Sequence, residues 1–280
     1  MVERWKGWAI PGPKPQTLDS PLPEVSEDET LDALSGHYKI FQCKKGHRYS
    51  TDDLLVAWYG TTYGVSTSSI LDLGTGTASV GMVAAWRLPN ARVVGVEAQE
   101  ISANLARKSI QYNRLETRFE LRQGDFRDPA LIPAEEKFDL ILGSPPYFPL
   151  ESGIKSEHSQ KIACRFEVRG SIAYYARVAS EHLNPGGVFV CVFPIQPSHQ
   201  LERVLESAKA AGLSILRRRD VILKEGDEPL LGLFLMTRQS DLPDSFLNKT
   251  WHESPLVIRK KDGTIHEEYS VVKMSIGFPP

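Results

Sequence analysis

Cysteine is scarce in this chain: Cys43, Cys164 and Cys191 are the three in 280 residues. An odd number of widely spaced thiols supplies neither a disulfide framework nor a Cys-x-x-Cys metal knuckle, so reduced, separately packed cysteines and no metal are expected. Long apolar runs are missing as well. No uninterrupted stretch approaches the roughly 20 apolar residues that cross a bilayer. The first eleven residues, with Glu3, Arg4 and Lys6, lack the apolar core of a secretory leader. A cytoplasmic protein without membrane contact is expected, most simply a monomer. Charge of one sign is not in excess either. With 33 Lys and Arg against 35 Asp and Glu the formal net charge is -2, which argues against indiscriminate coating of nucleic acid by phosphate neutralisation but leaves local patches open. Basic clusters occur at Lys44, Lys45, His47 and Arg48, at Arg217 to Arg219, and at Arg259 to Lys261. Each is either a phosphate-binding patch or an ordinary solvated face.

What is present suits a globular α/β protein: 41% hydrophobic and 24% charged residues, in a length that fits one large domain with additions. Residues 1 to 36 hold five prolines from Pro11 to Pro23 followed by the acidic run Glu24 to Asp32, a composition that predicts an extended arm. Residues 37 to 62 predict a hairpin and helix packed on the main domain. Two short strands are expected within His37 to Tyr49, joined around Lys44 to Gly46, and Thr51-Asp52 is expected to cap an apolar helix through Trp58.

From residue 63 to 280 apolar runs alternate with helical periods. Strands are expected at Ile70 to Leu73, Arg92 to Val96, Arg118 to Arg122, Phe138 to Leu142 and Gly187 to Phe193, the last after a turn at Asn184-Pro185-Gly186. Helices are expected at Ala78 to Trp86, Ile101 to Tyr112, Ile172 to His182 and His199 to Ala211. Strand-helix alternation of this kind builds a parallel sheet. Two later β-rich runs, Ile215 to Leu223 and Leu230 to Thr237, have no helix between them and predict an antiparallel hairpin at one sheet edge.

Ile70-Leu71-Asp72-Leu73-Gly74-Thr75-Gly76-Thr77 places a glycine pair where a strand gives way to a helix, letting backbone approach a ligand with no Cβ in the way. About 20 residues on, Glu97 ends the next strand, where a carboxylate can accept hydrogen bonds from the ribose hydroxyls of an adenosine-containing ligand. The alternative is a tight turn with a surface glutamate. Dinucleotide-binding chains continue with a third glycine, and here that position is Ser79, which disfavours a nicotinamide cofactor. Asp72 can orient the loop. Gly124-Asp125-Phe126 follows the third strand and adds a carboxylate able to accept an adenine amino group beside a ring able to stack on it.

The fourth strand runs into Gly143-Ser144-Pro145-Pro146-Tyr147-Phe148, at the carboxyl edge where open α/β sheets bind ligands. Consecutive prolines stiffen the backbone and remove two amide donors, so a fixed carbonyl acceptor can point into a pocket. An aromatic follows for stacking.

This arrangement resembles the S-adenosylmethionine-dependent amino-methyltransferases, whose Asn/Asp/Ser-Pro-Pro-Tyr/Phe motif serves adenine N6, cytosine N4 and glutamine amides. Within that group the chain is similar to the bacterial tRNA1(Val) adenine-N6 methyltransferases. Carrying the resemblance are Arg48-Tyr49-Ser50-Thr51-Asp52 with Leu54, Leu55 and Trp58, the Ser-Pro-Pro-Tyr motif, Arg165 beyond it, and the tail Leu256-Val257-Ile258-Arg259 with Tyr269. The family usually has asparagine where this chain has Ser144. The resemblance implies a Rossmann-like class I methyltransferase fold with a mostly parallel seven-stranded sheet and an antiparallel carboxyl-terminal hairpin. It implies S-adenosylmethionine held by Thr51, Asp72, Gly74, Gly76, Glu97, Asp125 and Phe126. Catalysis would fall to Ser144, Pro145, Pro146 and Tyr147, and RNA, most simply a tRNA, would meet Phe148, Arg165, Lys44, Lys45 and Arg48. Arg165 could equally pair with Glu167. Cytosine N4 and a glutamine amide remain alternative acceptors, and a noncatalytic RNA- or cofactor-binding protein remains the alternative from another class.

Overall fold

The computed structural model describes residues 4–5, 8–9, 21–63, 66–147, 170–247 and 249–278. Near the amino terminus β1 (Arg4–Trp5) and β2 (Trp8–Ala9) form a small antiparallel ladder. A second hairpin joins β3 (Glu29–Ser35) to β4 (Tyr38–Cys43). It differs from the expected one: the turn lies at Gly36-His37 rather than around Lys44 to Gly46, and β3 falls within the stretch expected to be an extended arm. Gly36 supplies the reason, because its φ of 54° is a left-handed conformation suited to a tight turn. The acidic residues Glu29 and Asp32 are neutralised where they stand, by Lys108 and Arg48.

Helix α1 (Thr51–Tyr63) leads into β5 (Ser69–Leu73), α2 (Ser79–Arg87), β6 (Arg92–Glu97), α3 (Glu100–Tyr112), β7 (Phe119–Gln123) and β8 (Phe138–Gly143). Next come α4 (Ile172–His182), β9 (Leu183–Pro194), α5 (Ser198–Ala210), β10 (Leu213–Lys224), β11 (Leu231–Arg238), β12 (Trp251–Arg259) and α6 (Glu267–Ser275). The main sheet runs β12-β10-β11-β9-β8-β5-β6-β7. Strands β5 to β9 are mutually parallel, whereas β11 is antiparallel to both β9 and β10. The expected Rossmann-like sheet with its antiparallel hairpin is therefore present. It carries one more strand than the seven expected.

That extra strand, β12, pairs parallel to β10. Its sequence contains Pro255 and three ionisable side chains, His252 and Glu253 before the apolar Leu256-Val257-Ile258 and Arg259 after it, which obscures a strand pattern. The ladder steps from Arg219↔Glu253 to Val221↔Leu256, so the proline sits in an irregularity at the sheet edge, where its missing amide costs least. A second irregularity absorbs the expected turn at Asn184-Pro185-Gly186. Leu183 pairs with Phe138 and Val188 with Leu140, so the turn residues bulge out within β9.

Two buried clusters cover opposite faces of the sheet. One draws on α1, α2, α3 and the β3-β4 hairpin, with Tyr269 and Val272 of α6; the other draws on α4 and α5. Leu71 and Leu73 on β5 are fully buried, each contributing about 1.5–3 kcal/mol in transfer free energy. The layers hold the carboxyl ends of β5, β6 and β8 in place.

Candidate active site

Loops after these strands converge on a cavity of about 390 Å³, lined by the glycine loop, Glu97, Asp125, Phe126 and residues 144 to 147. Of the residues expected to hold a cofactor, only Thr51 does not line it. It stands at the start of α1, near Tyr269 of α6.

Both loop glycines adopt left-handed backbone, φ 65° at Gly74 and 58° at Gly76. A Cβ on Gly74 would stand 2.3 Å from the Tyr175 hydroxyl, so glycine there satisfies backbone and packing together. Asp72 is 1% exposed and accepts from the Thr75 hydroxyl at 2.5 Å and the Gly81 amide at 2.9 Å. It orients the loop as expected. Burial pushes its carboxyl up to about 7, against the pull of those hydrogen bonds.

Glu97, buried at the end of β6, accepts from the Gly76 amide at 2.9 Å through one oxygen and from the Gln99 amide at 2.6 Å through the other. A carboxylate has about four acceptor sites, so these bonds fix its orientation without using its full capacity. Asp125 departs from the simple expectation. Its carboxylate is forked by Arg127, with Nε at 2.9 and 3.0 Å from its two oxygens, so its acceptor role is shared with a neighbouring cation. Phe126 lies edge-on to Tyr175 at 4.8 Å between ring centroids.

Ser144, Pro145, Pro146 and Tyr147 all line the cavity. The Tyr147 hydroxyl donates to Asp52 Oδ2 at 2.5 Å, and Ser144 lines the same cavity close by. From the other side the Tyr147 carbonyl accepts from Gln200 and Arg203, each at 3.3 Å, while its ring meets Phe193 edge-on at 5.7 Å. Burial and the adjacent Asp52 carboxylate hold the phenol well above its ordinary value.

Asp52 and Asp53 occupy the first turn of α1, and both line the cavity. The helix start differs from the expected Thr51-Asp52 cap. The Ser50 amide donates to Asp53 Oδ2 at 3.2 Å, the back-bond of a Ser-x-x-Asp box. Asp53 also accepts from the Ser79 hydroxyl at 3.1 Å, and burial together with Asp52 raises it to about 6. Asp53, Tyr175 and Gln99 were not singled out by sequence. For Asp53 a signal existed, since it shares a helical face with Val56, Ala57 and Gly60, all buried. Nothing local marks Tyr175, whose partner Gly74 is about a hundred residues away in the chain.

The basic residues are more constrained than their sequence clusters suggest. Lys44 donates to the Glu27 carbonyl at 2.6 Å, Arg48 pairs with Asp32 at 2.8 Å, and Lys45 is exposed. None of the three lines the cavity, but His47 and Tyr49 from the same loop do. Arg217 pairs with Glu253 at 3.4 Å and Arg218 with Asp220 at 2.6 Å, while Arg219 lies over Trp58 at 5.7 Å. Phe148 and Arg165 fall outside the described residues. Among the described residues no His, Cys, Asp and Glu grouping could hold a metal ion, and no helix is long and apolar enough to cross a membrane.

Residues 65–211 match the methyltransferase domain family. A tRNA1(Val) (adenine(37)-N6)-methyltransferase of Porphyromonas gingivalis is 32% identical over 161 residues, covering 56% of this chain and 62% of that one. A protein of the same name from Bacteroides fragilis is 30% identical over 201 residues, covering 71% of this chain and 81% of that one. Among solved structures, an Agrobacterium tumefaciens protein described as a predicted O-methyltransferase superposes with a TM-score of 0.60 at 16% identity, covering 82% of this chain and 98% of that one. At such low identity the superposition speaks for the fold alone.

Proposed function

This chain belongs to the methyltransferase family whose members include the bacterial tRNA1(Val) adenine-N6 methyltransferases, and we propose that it methylates an exocyclic amino group, adenine N6 in a tRNA or another structured RNA. One observation carries the reading. A single cavity brings the glycine loop and Glu97 together with the Ser-Pro-Pro-Tyr segment.

The cofactor is S-adenosylmethionine, and the lining fits its charge. Asp52, Asp53, Asp72, Glu97 and Asp125 are acidic, and no described lining residue is Lys or Arg. With an ammonium, a sulfonium and a carboxylate, that cofactor is a net cation, so these walls attract it. When bound, it supplies a methyl group that is already electrophilic. Glu97 would accept from the ribose hydroxyls, Gly74 and Gly76 would let the backbone close on the ligand, and Phe126 with Asp125 would meet the adenine. Asp72 and Asp53 would hold the loop and its following helix in register.

The remaining task is to align a weakly nucleophilic amine. The Pro145 carbonyl and Ser144 hydroxyl would accept its two hydrogens and localise its lone pair, with Tyr147 providing the stacking face. Such a platform contributes about 1–3 kcal/mol per base. Reaching a base edge requires an unstacked nucleotide, and an RNA loop provides one at less cost than a duplex. The names of the relatives point the same way.

Incubation with methyl-labelled cofactor and unmodified total RNA, DNA and protein tests the proposal. Label is expected in the tRNA fraction. Label confined to DNA would favour a cytosine-N4 or DNA adenine enzyme, label confined to protein a glutamine enzyme, and either would overturn the RNA assignment.

A further inference from the structure

A stacking face serves transfer only if its ring is held where the base arrives. The ring-bearing torsion of an aromatic side chain is broad, without sharp staggered minima, so a ring tethered by its backbone alone must be ordered each time a base settles on it. Phenylalanine would offer the same face. Tyr147 adds a hydroxyl at the far end of the ring, and that hydroxyl has a partner 95 residues away in the chain: it donates to Asp52 Oδ2 at 2.5 Å, the length of a charge-assisted bond.

The backbone end of the residue is held as well. The Tyr147 carbonyl accepts from Gln200 and from Arg203, each at 3.3 Å, and Gln200, 5% exposed, itself accepts from Arg203 at 2.7 Å. Between the two anchors the ring meets Phe193 edge-on at 5.7 Å. The anchors come from opposite sides of the sheet. Leu54, Leu55 and Val56 of α1 belong to one buried cluster, Val204 and Ala208 of α5 to the other, and Tyr147 packs against both. Asp52 is steadied by its own helical turn, because the next residue, Asp53, accepts from the Ser50 amide at 3.2 Å and from the Ser79 hydroxyl at 3.1 Å. Resting on the amino-methyltransferase reading above, we propose that Asp52 is a positioning residue which, through the Tyr147 hydroxyl, holds the Tyr147 ring in the orientation that receives the target base.

Asp52 also lines the cavity, where its charge faces a cationic cofactor. A role through charge and a role through Tyr147 make different demands on the side chain. Asparagine keeps an oxygen that accepts from the phenol but carries no charge, whereas alanine keeps neither. At position 147 phenylalanine keeps the ring and leaves the Asp52 charge in place, and removes only the hydroxyl that joins them.

The test is single-turnover methyl transfer at saturating cofactor and acceptor, the acceptor being whichever the labelling experiment identifies, with cofactor affinity measured in parallel. Tyr147→Phe and Asp52→Ala should each slow transfer about 3- to 30-fold, through the ordering of a loosened ring and imperfect alignment of the base. Cofactor affinity of Tyr147→Phe should change less than about threefold, since the Asp52 charge stays in place. The double variant should be about as slow as the slower single one, because both remove the same bond. Asp52→Asn should transfer within about threefold of wild type. A wild-type rate from Tyr147→Phe overturns the proposal, and supplies the answer should Asp52→Ala fail to fold. Multiplicative effects in the double variant overturn it too, as does an Asp52→Asn rate as low as that of Asp52→Ala, the mark of a role through charge. A merely structural role would lower the cofactor affinity of Tyr147→Phe in step with its rate, which also overturns it. Failure of the wild-type protein to transfer methyl to any acceptor would instead overturn the functional reading.

Discussion

Replacing Gly74 by alanine tests the cofactor loop at its tightest point. Two separate costs are expected. The residue has φ 65°, and an L-residue in left-handed backbone costs about 1–2 kcal/mol. The new Cβ would also lie 2.3 Å from the Tyr175 hydroxyl, while the next atoms, Cζ and Cε1, stand at 3.5 and 3.9 Å. Overpacking of that kind costs about 1–3 kcal/mol, because Tyr175 is 5% exposed and wedged against Phe126. Gly74→Ala should therefore lose about 2–5 kcal/mol of stability in urea denaturation of the cofactor-free protein. Since only the hydroxyl is too close, adding Tyr175→Phe should restore the overpacking share and leave the backbone share. Ala78 already holds φ 71° in the same loop, so the fold tolerates strain of that kind. A double variant no more stable than Gly74→Ala alone would refute this account of the loop.

Proton linkage gives a second prediction. Asp53 is raised to about 6 and Asp72 to about 7, so the folded protein holds more protons than the unfolded chain between about pH 4 and 7. Their stabilising contribution is present at the acid end and lost as pH rises, so the cofactor-free unfolding temperature should fall from about pH 5.5 to 8. Carboxyls lowered by partners, such as Asp139 at about 2, act below that window. A cation in the cavity favours the ionised acids, so cofactor affinity should rise over the same range with proton release, and Asp53→Asn should flatten both trends; pH-independent binding in calorimetry would contradict this. Glu97→Ala should weaken cofactor binding by about 1–3 kcal/mol, and an unchanged calorimetric affinity would remove Glu97 from the site. RNA affinity should fall with salt, and neutralising Lys44, Lys45 and Arg48 together should reduce that slope. An unchanged slope would place the RNA surface elsewhere.

Most of the parallel sheet was legible because buried central strands read as short apolar runs and helices by their period. Observed bounds for β5, β6 and α4 lie within a residue of those expected. The tail strand was not legible, since Pro255 and the charged Glu253 and Arg259 are acceptable only at an edge that no local pattern reveals. The early hairpin was displaced because an acidic, proline-preceded composition suggested an arm, whereas distant Lys108 and nearby Arg48 neutralise Glu29 and Asp32. At the site, motif residues were visible wherever backbone chemistry demanded a residue type, as at Gly74 and Pro145. Asp52, Asp53 and Tyr175 act through partners brought together only by the fold, and sequence spacing carries no record of those meetings.

The central claim, amino-group transfer directed by residues 144 to 147, is tested most directly by nucleoside mass spectrometry of an unmodified tRNA after a single turnover. Wild-type protein should convert adenosine to N6-methyladenosine. Ser144→Ala and Tyr147→Ala should each slow that conversion while binding cofactor nearly normally. A different methylated nucleoside, or wild-type rates from both variants, would contradict the account.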